Sequence, residues 1–347
     1  MGTSNKDERI LLAHGGGGSL MRELIESLIL ERLNNPVLSR LEDRAILPCL
    51  PAGREGVSGR LAFTTDSYVV KPLFFKGGDI GKLAVCGTVN DLAASGARPL
   101  WLTLSFIIEE GFPIVQLERI VDSIAETSGQ AEVKVAAGDI KVVERGAADG
   151  IYINTSGIGV VAEGVNLSPS LIEEGDKVLV SGPIGDHGIA VLSAREGMEF
   201  DVDVESDVAP LGGLVAGILD SGESVHFLRD PTRGGLAALL NEAASAAGVS
   251  ISLFEDEIPL RPSVKAVSEM LGLDPLNLAC EGRMVAVVAR KGAEKVLERM
   301  RESSLGKEAS NIGEVVGSMA ARVILETKVG GRRIVDVPYG EELPRIC

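Results

Sequence analysis

Strand-like and helix-like runs alternate along almost the whole chain, and near residue 166 the alternation begins again. In the first round, "RLAFTTDS" reads as a strand ending at Asp66. "DIGKLAVCGTVNDLAASG" reads as a helix closed by Gly96, and the apolar run "PLWLTLSFII" follows it. A helix around "IVQLERIVDSIAETS" precedes "VKVAAGD", a strand ending at Asp139, and "GIYINTSGIGVVAEG" is β-rich. Upstream, "SLMRELIESLILERL" puts Leu20, Leu24, Ile25, Leu28 and Ile29 on one helical face, with Ser19 as its cap. The second round runs from the strand "KVLVSGPIG" through helices at "HGIAVLSARE" and "PLGGLVAGILDSG" to "VHFLRD" and "RGGLAALLNEAASAAG". Strands at "VSISLF" and "RMVAVVA", a helix at "AEKVLERM" and strands at "NIGEVVG" and "ARVILET" complete it. Such alternation dictates an α/β or α+β fold with chemistry at strand ends. At 347 residues the chain is long for a single core. We therefore expect two domains, residues 1–165 and 166–337, and a tail of residues 338–347.

Composition removes several function classes. Aromatics are 3% of the chain against 42 glycines, which favours tight turns and an aliphatic core over base-stacking surfaces. The net charge is −16 with no basic block, so the positive footprint of a nucleic-acid binder is missing. An acidic protein still holds a nucleotide when Mg²⁺ bridges carboxylates to phosphates. No stretch reads as a signal peptide or a bilayer span, and neither a myristoylation nor a prenylation motif is present. Four separated cysteines without a C-x-x-C, and only three histidines, argue against zinc and for a reducing, cytoplasmic setting.

Three stretches could carry chemistry. In "AHGGGG", Gly15, Gly16, Gly17 and Gly18 precede a helix, where backbone N–H groups and the helix dipole suit an anion. The bland alternative is a flexible loop; neither this stretch nor "GGDIGKL" is a Walker loop. Asp43, Asp66, Asp91 and Asp139 are each explicable as caps or solvated turns. Asp91, however, follows Asn90 inside an otherwise apolar helix, a costly place for a charge without a partner. Convergence of these carboxylates would make a hard-cation site suited to Mg²⁺ and polyphosphate. In "FLRDPTRGGLAALLNEAA", Asp230 reads as a helix cap, while Arg233 and Gly234 at a helix start suit either an ordinary helix entry or an anion.

Taken together, "GGGGSLM", "TTDSYVVKPLFFKGGDIGKLAVCGTVNDLAASGARPLWL", "AAGDIKVVERG", "RDPTRGGLAALLNE", "ACEGRMV" and "PRIC" resemble the HypE family of hydrogenase maturation factors, which are carbamoyl dehydratases. The resemblance runs from about residue 9 to Cys347. Its wider superfamily includes aminoimidazole ribonucleotide synthetase, selenophosphate synthetase and thiamine monophosphate kinase. "DIKVVERG" and "PRIC" point to the HypE branch, whereas the aspartates and glycines alone indicate the superfamily.

The resemblance implies a two-domain synthetase-like fold whose N-terminal domains pair into a β-barrel in a homodimer, with a flexible tail. It implies ATP and Mg²⁺ as cofactors, with Asp43, Asp66, Asp91 and Asp139 as metal ligands. Gly15, Gly16, Gly17 and Gly18 would cover the phosphates, with Asn90 close to the nucleotide. The first metal motif departs from the family pair of acids, reading Glu42-Asp43 before Arg44. The implied reaction dehydrates an S-carboxamide on Cys347 to an S-cyanide, destined for the hydrogenase iron. HypF would donate the carbamoyl group and a HypC–HypD complex would accept the cyanide. Lys141 and Glu281 match family positions assigned to proton removal, against readings as a surface lysine and a loop glutamate. Cys280 reads as a buried small residue, and His187 as structural. The tail, ten residues long, spans at most about 33 Å when extended. Pro338 and Pro344 keep it extended, and Arg345 suits a thiolate or carboxylate beside it. Two other functions compete: a synthetase or kinase acting on a free small molecule, indifferent to Cys347, and a non-enzymatic scaffold whose thiol binds iron or a partner.

Overall fold

The computed structural model describes residues 19–24, 26–27, 45–47, 60–195, 203–317, 321–337 and 343–347. His14, the four glycines at 15–18 and Asp43 lie outside the described residues. The described residues open with helix α1 (Ser19–Leu24), followed by strands β1 (Ala45–Leu47) and β2 (Arg60–Tyr68). A hairpin of β3 (Phe74–Phe75) and β4 (Gly78–Asp79) leads into α2 (Ile80–Ala94). Then come β5 (Ala97–Glu109), α3 (Ile114–Gln130), β6 (Lys134–Val143) and β7 (Ile151–Val161). The long strands form one sheet in the order β1-β2-β7-β5-β6.

Helix α2 covers one face of this sheet. Asp79 starts it by accepting from the backbone N–H groups of Gly81 and Lys82, which have no intrahelical acceptor. Almost every side chain of α2 is buried, and Gly87 brings it close to the sheet: a Cβ there would collide with the Tyr68 hydroxyl. Gly96, with φ of 75°, ends the helix region as the sequence suggests. The inner face of β2 carries Ala62, Thr64, Asp66 and Tyr68; Phe63, Thr65 and Ser67 point the other way. Both β2 and β6 outrun the sequence reading. β2 continues past Asp66 to Tyr68, and β6 passes through Asp139 to Val143 because "IKVV" sustains the extended pattern.

The second sheet contains β8 (Lys177–Val180), β9 (Val225–Arg229), β10 (Ser250–Phe254), β11 (Val285–Val288), β12 (Ser310–Val316), β13 (Val323–Glu326) and β14 (Arg332–Val335). Its order is β14-β13-β10-β12-β8-β11-β9. Around it lie α4 (Asp186–Ser193), α5 (Gly212–Leu219), α6 (Gly235–Ala247), α7 (Pro262–Leu271) and α8 (Ala293–Glu302). β11 is buried along its whole length. Val285 and Val287 join a core with Leu240 and Ile251, while Ala286 and Val288 join another with Leu228 and Met300. Ala93 and Ala94 of α2 pack into that second core, so the first sheet's helix reaches the second sheet. Asp230 is not the cap of α6, which begins five residues later with Gly234 before it at φ of 75°. β14 was not anticipated, since "RRIV" is too charged to read as a strand.

Candidate active site

Period-two alternation puts Asp66 on the inner face of β2, and helical spacing puts Thr88 and Asp91 on one side of α2. Across that contact the Thr88 hydroxyl donates to Asp66 Oδ2 at 3.3 Å, and the Thr64 hydroxyl donates to Asp91 Oδ2 at 2.9 Å. Tyr68 lies next to them, 3.3 Å from Thr88 Oγ1. Burial, then the charges of Asp66, Asp91 and Glu281, push its phenol well above the usual range. The two aspartates are thus held as a pair by threonine hydroxyls and offer hard oxygen donors, the chemistry that Mg²⁺ prefers.

Asn90, fully buried, faces the second sheet instead. Its amide nitrogen donates to the carbonyls of Ala209 (3.1 Å) and Glu281 (3.2 Å), and its oxygen accepts from Leu211 N–H (2.7 Å). Both amide protons are therefore committed to backbone. Glu281 itself is 2% exposed, and its Oε1 has no hydrogen-bond partner among the described residues. Burial, reinforced by the negative charges of Asp230 and Asp207, raises its carboxyl well above the ordinary range, with Arg233 opposing. Its turn is rigid. The Glu281 N–H donates to Asp207 Oδ1 at 3.1 Å, and a Cβ on Gly282 would fall on the Asp207 carbonyl. Arg283 lies 3.5 Å from Asp207 Oδ2 and 3.5 Å from Asp186 Oδ2, so the buried acids beneath the turn share one cation. Arg233 and Gly234 stand at the N-terminus of the thirteen-residue α6, on the Glu281 side.

Asp139 and Lys141 are elsewhere. The register aligns Asp66 with Thr155, but Asp139 with Ser105 and Lys141 with Ile107, which places this pair on the outer face. Lys141, its side chain 68% exposed, is 2.7 Å from Asp139 and holds that carboxyl below its usual range. Among the described residues, no three His, Cys, Asp or Glu side chains gather around a point that could hold a metal ion. Asp66 and Asp91 are together; Asp139 is not with them.

Cys347 is brought to the inner face. Its carbonyl accepts from Val69 N–H at 3.2 Å, directly after β2, and it packs on the cluster containing Tyr68, Cys86 and Ala279, two residues before Glu281. Ile346 inserts into the same cluster at 3% exposure. Cys280 is fully buried and burial raises its thiol well above the usual range, as a packing residue requires. Thr64, Tyr68, Thr88 and Asp207 escaped the sequence reading. The spacing of two in "TTDSY" and of three between Thr88 and Asp91 was the signal available for the first three.

Comparison with known proteins places this geometry. Residues 42–161 match the N-terminal domain of AIR synthase related proteins, and residues 173–326 match the C-terminal domain. The carbamoyl dehydratase HypE of Rhizobium leguminosarum bv. viciae is 51% identical over 340 residues, covering 98% of this chain and 95% of that protein. A crystal structure of a HypE–HypF complex is 51% identical with a TM-score of 0.84, covering 91% of this chain and 99% of that one. A structure of HypE in complex with ATP is 43% identical with a TM-score of 0.81, covering 98% and 100%. The chain belongs to the HypE family of carbamoyl dehydratases, within the AIR synthase related proteins.

Proposed function

We propose that this chain dehydrates a carboxamide carried on the Cys347 sulfur to a thiocyanate at the expense of ATP, in the maturation of a hydrogenase. One observation carries the reading: the segment bearing Cys347 docks against the cluster of Tyr68 and Ala279, which leads to buried Glu281, and bonds to Val69 directly after β2, the strand that carries Asp66. A synthetase of free small molecules has no use for a thiol brought there by its own chain.

Atoms balance as follows. The carbamoyl oxygen bonds to the γ-phosphorus as ADP leaves; the carbon–oxygen bond then breaks and its electron pair departs with phosphate. The two N–H electron pairs become the two π bonds of C≡N, and two protons leave the nitrogen. Asp66 and Asp91 are suited to hold Mg²⁺, which supplies charge neutralisation on the transferred phosphoryl group when bound. Arg233 and the α6 N-terminus offer a complementary anion site. Asn90 acts through the backbone it fastens rather than as a free hydrogen-bond donor. Glu281 receives a nitrogen proton from its buried position. A raised pKa makes its carboxylate a strong acceptor once ionised. Lys141, on the outer face, serves the site of a second copy. The homodimer pairs outer face to outer face through Phe63, Trp101, Ile107 and Ile158, which are 41–46% exposed in one chain. Enclosure of the docked segment keeps water from the phosphorylated intermediate.

By the same reading a HypF carbamoyltransferase loads Cys347, a HypC–HypD complex receives the cyanide, and the work is done in the cytoplasm. The test is intact-mass measurement after incubation with HypF, carbamoyl phosphate and ATP. A carbamoyl adduct should form and lose one water only with ATP and Mg²⁺; Cys347→Ser should carry no adduct. An adduct on another residue, or one that ATP leaves unchanged, overturns the reading.

A further inference from the structure

The segment 343–347 is held by three kinds of contact. Near the surface it is clasped by long charged side chains. Arg345 Nε donates to the Val69 carbonyl at 2.7 Å, its guanidinium reaches Asp149, and Asp149 is 2.7 Å from Lys71. Arg195 donates to the carbonyls of Pro344 and Arg345. Such exposed pairs are individually weak and easily exchanged for water. Backbone pairing with the chain after β2 adds Lys71 N–H to the Arg345 carbonyl at 3.1 Å and Val69 N–H to the Cys347 carbonyl at 3.2 Å. Between these two bonded carbonyls a buried side chain takes the third: His187 Nε2 lies 2.8 Å from the carbonyl oxygen of Ile346, the residue immediately before Cys347.

Everything around His187 fixes that bond's direction. The ring is fully buried on α4, edge-on to Phe75 with centroids 5.4 Å apart. Its Nδ1 is 2.8 Å from Ser206 Oγ, which also accepts the Val208 N–H at 3.1 Å and keeps its own proton available for Nδ1. A carbonyl oxygen only accepts, so Nε2 must carry the ring's proton. Ser206 is in turn tied to the β3–β4 hairpin through its N–H, which donates to the Lys76 carbonyl at 2.8 Å. Burial drives the imidazole pKa down to about 4, so the ring stays neutral with one donor and one acceptor. A packing histidine requires neither a fixed tautomer nor a partner one residue from the reacting sulfur.

We propose that His187 is a positioning residue for Cys347: its Nε2–H fixes the carbonyl just before the cysteine and thereby sets where the sulfur, and any group carried on it, lies relative to Glu281. The charged clasp admits and releases the segment; His187 registers it. The purpose assigned to this contact rests on the dehydratase reading, but its existence is tested without it.

The experiment uses the full-length chain and three variants. His187→Asn keeps a polar group near Ser206 but is too short to reach Ile346. His187→Gln extends an amide N–H to about the position of Nε2. Ser206→Ala removes the hydroxyl that pairs with Nδ1 and steadies the ring. Alkylation of Cys347 by iodoacetamide, mapped by peptide mass spectrometry, reads the docked state without ATP. Losing one buried hydrogen bond corresponds to about a tenfold change in that equilibrium. Alkylation should therefore be about tenfold faster in His187→Asn, near the parent rate in His187→Gln, and intermediate in Ser206→Ala. In single-turnover dehydration of the preloaded carboxamide, His187→Asn should be slowed by a similar factor and His187→Gln should recover most of the rate. Loading by the carbamoyl donor should not slow in either. Equal alkylation rates in the parent and His187→Asn would overturn the proposal. So would a His187→Gln chain as defective as His187→Asn, because packing rather than the donor would then be at issue. A parent chain that shows no ATP-dependent water loss overturns the dehydratase reading, while the alkylation pattern still decides the role of His187.

Discussion

The two faces of the five-stranded sheet share their strands and almost nothing else. The inner face is covered by α2 and closes on Glu281; its charged groups, Asp66 and Asp91, are gripped by threonines. The outer face exposes Trp101 and Ile107, has no helix over it among the described residues, and carries Asp139 and Lys141 as a solvent-exposed ion pair. Residues one apart in the strand look opposite ways: Ser67 faces outward while Asp66 and Tyr68 face α2. Under the proposed function the pleat would let one sheet serve catalysis on one face and association on the other.

The comparison breaks most decisively at Glu281. Glu281→Gln should lower the dehydration rate by about 10²–10⁴-fold while leaving the loading of Cys347 intact, as measured by single-turnover mass spectrometry. The same variant has a stability signature. Because the folded-state pKa of Glu281 lies above its unfolded value, the fold retains a proton that the unfolded chain releases. Its contribution is fully present below the ordinary glutamate range and shrinks as pH rises toward the raised value. The Gln variant should therefore gain in Tm over the parent as pH rises above the ordinary glutamate range. No gain would mean that Glu281 is not held protonated by its surroundings.

A mixing experiment sharpens the assignment of faces. Glu281→Gln and Lys141→Ala should each be inactive alone. If Lys141 serves the second copy, mixed dimers contain one intact site, and an equimolar mixture should recover roughly a quarter of parental activity. No recovery would place Lys141 and Glu281 in the same protomer's site, against the register. Trp101→Glu in both chains should abolish the recovery by breaking the outer-face pairing, read by sedimentation.

Smaller effects test the inner face. His187, with its pKa depressed to about 4 by burial, favours the fold above the unfolded value of 6.5, and that contribution is lost as pH falls through 4. This is about 3 kcal/mol, so His187→Gln should show a visibly shallower loss of stability on acidification over that window, followed by denaturant titration. The least effect is expected from Thr64→Val. Losing its hydrogen bond to Asp91 should cost about 1–2 kcal/mol and raise the Mg²⁺ concentration needed for half-maximal turnover a few-fold.

Much of this site was legible one residue at a time. Asp91 stood out because a charge in an apolar helix demands partners, and it has Thr64. Glu281 and Cys347 emerged from motif resemblance. What the sequence could not assign was the face. "FTTDS" and "VKVAAGD" look alike as apolar runs reaching an aspartate, yet β2 has a helix over Asp66 while β6 is an edge strand exposed on both sides. Alternation says which residues share a face, not which face the helices cover. Long-range partners were equally silent. Nothing near His187 in the chain announces Ser206 or Ile346, and nothing near Asn90 announces Leu211. The strand "RRIV" was missed because pairing with β13 outweighs its composition.

Asn90 also has a consequence for how the molecule comes apart. A chain with two sheets and separate cores ordinarily melts in stages. Here one amide on the first sheet's helix fastens three backbone groups of the second unit, and Ala93 and Ala94 lie inside the second unit's core. Pulling the units apart would strand those groups and open that core before either sheet had lost a strand. Heat should therefore meet no seam between them, and the described fold is expected to yield as one cooperative body.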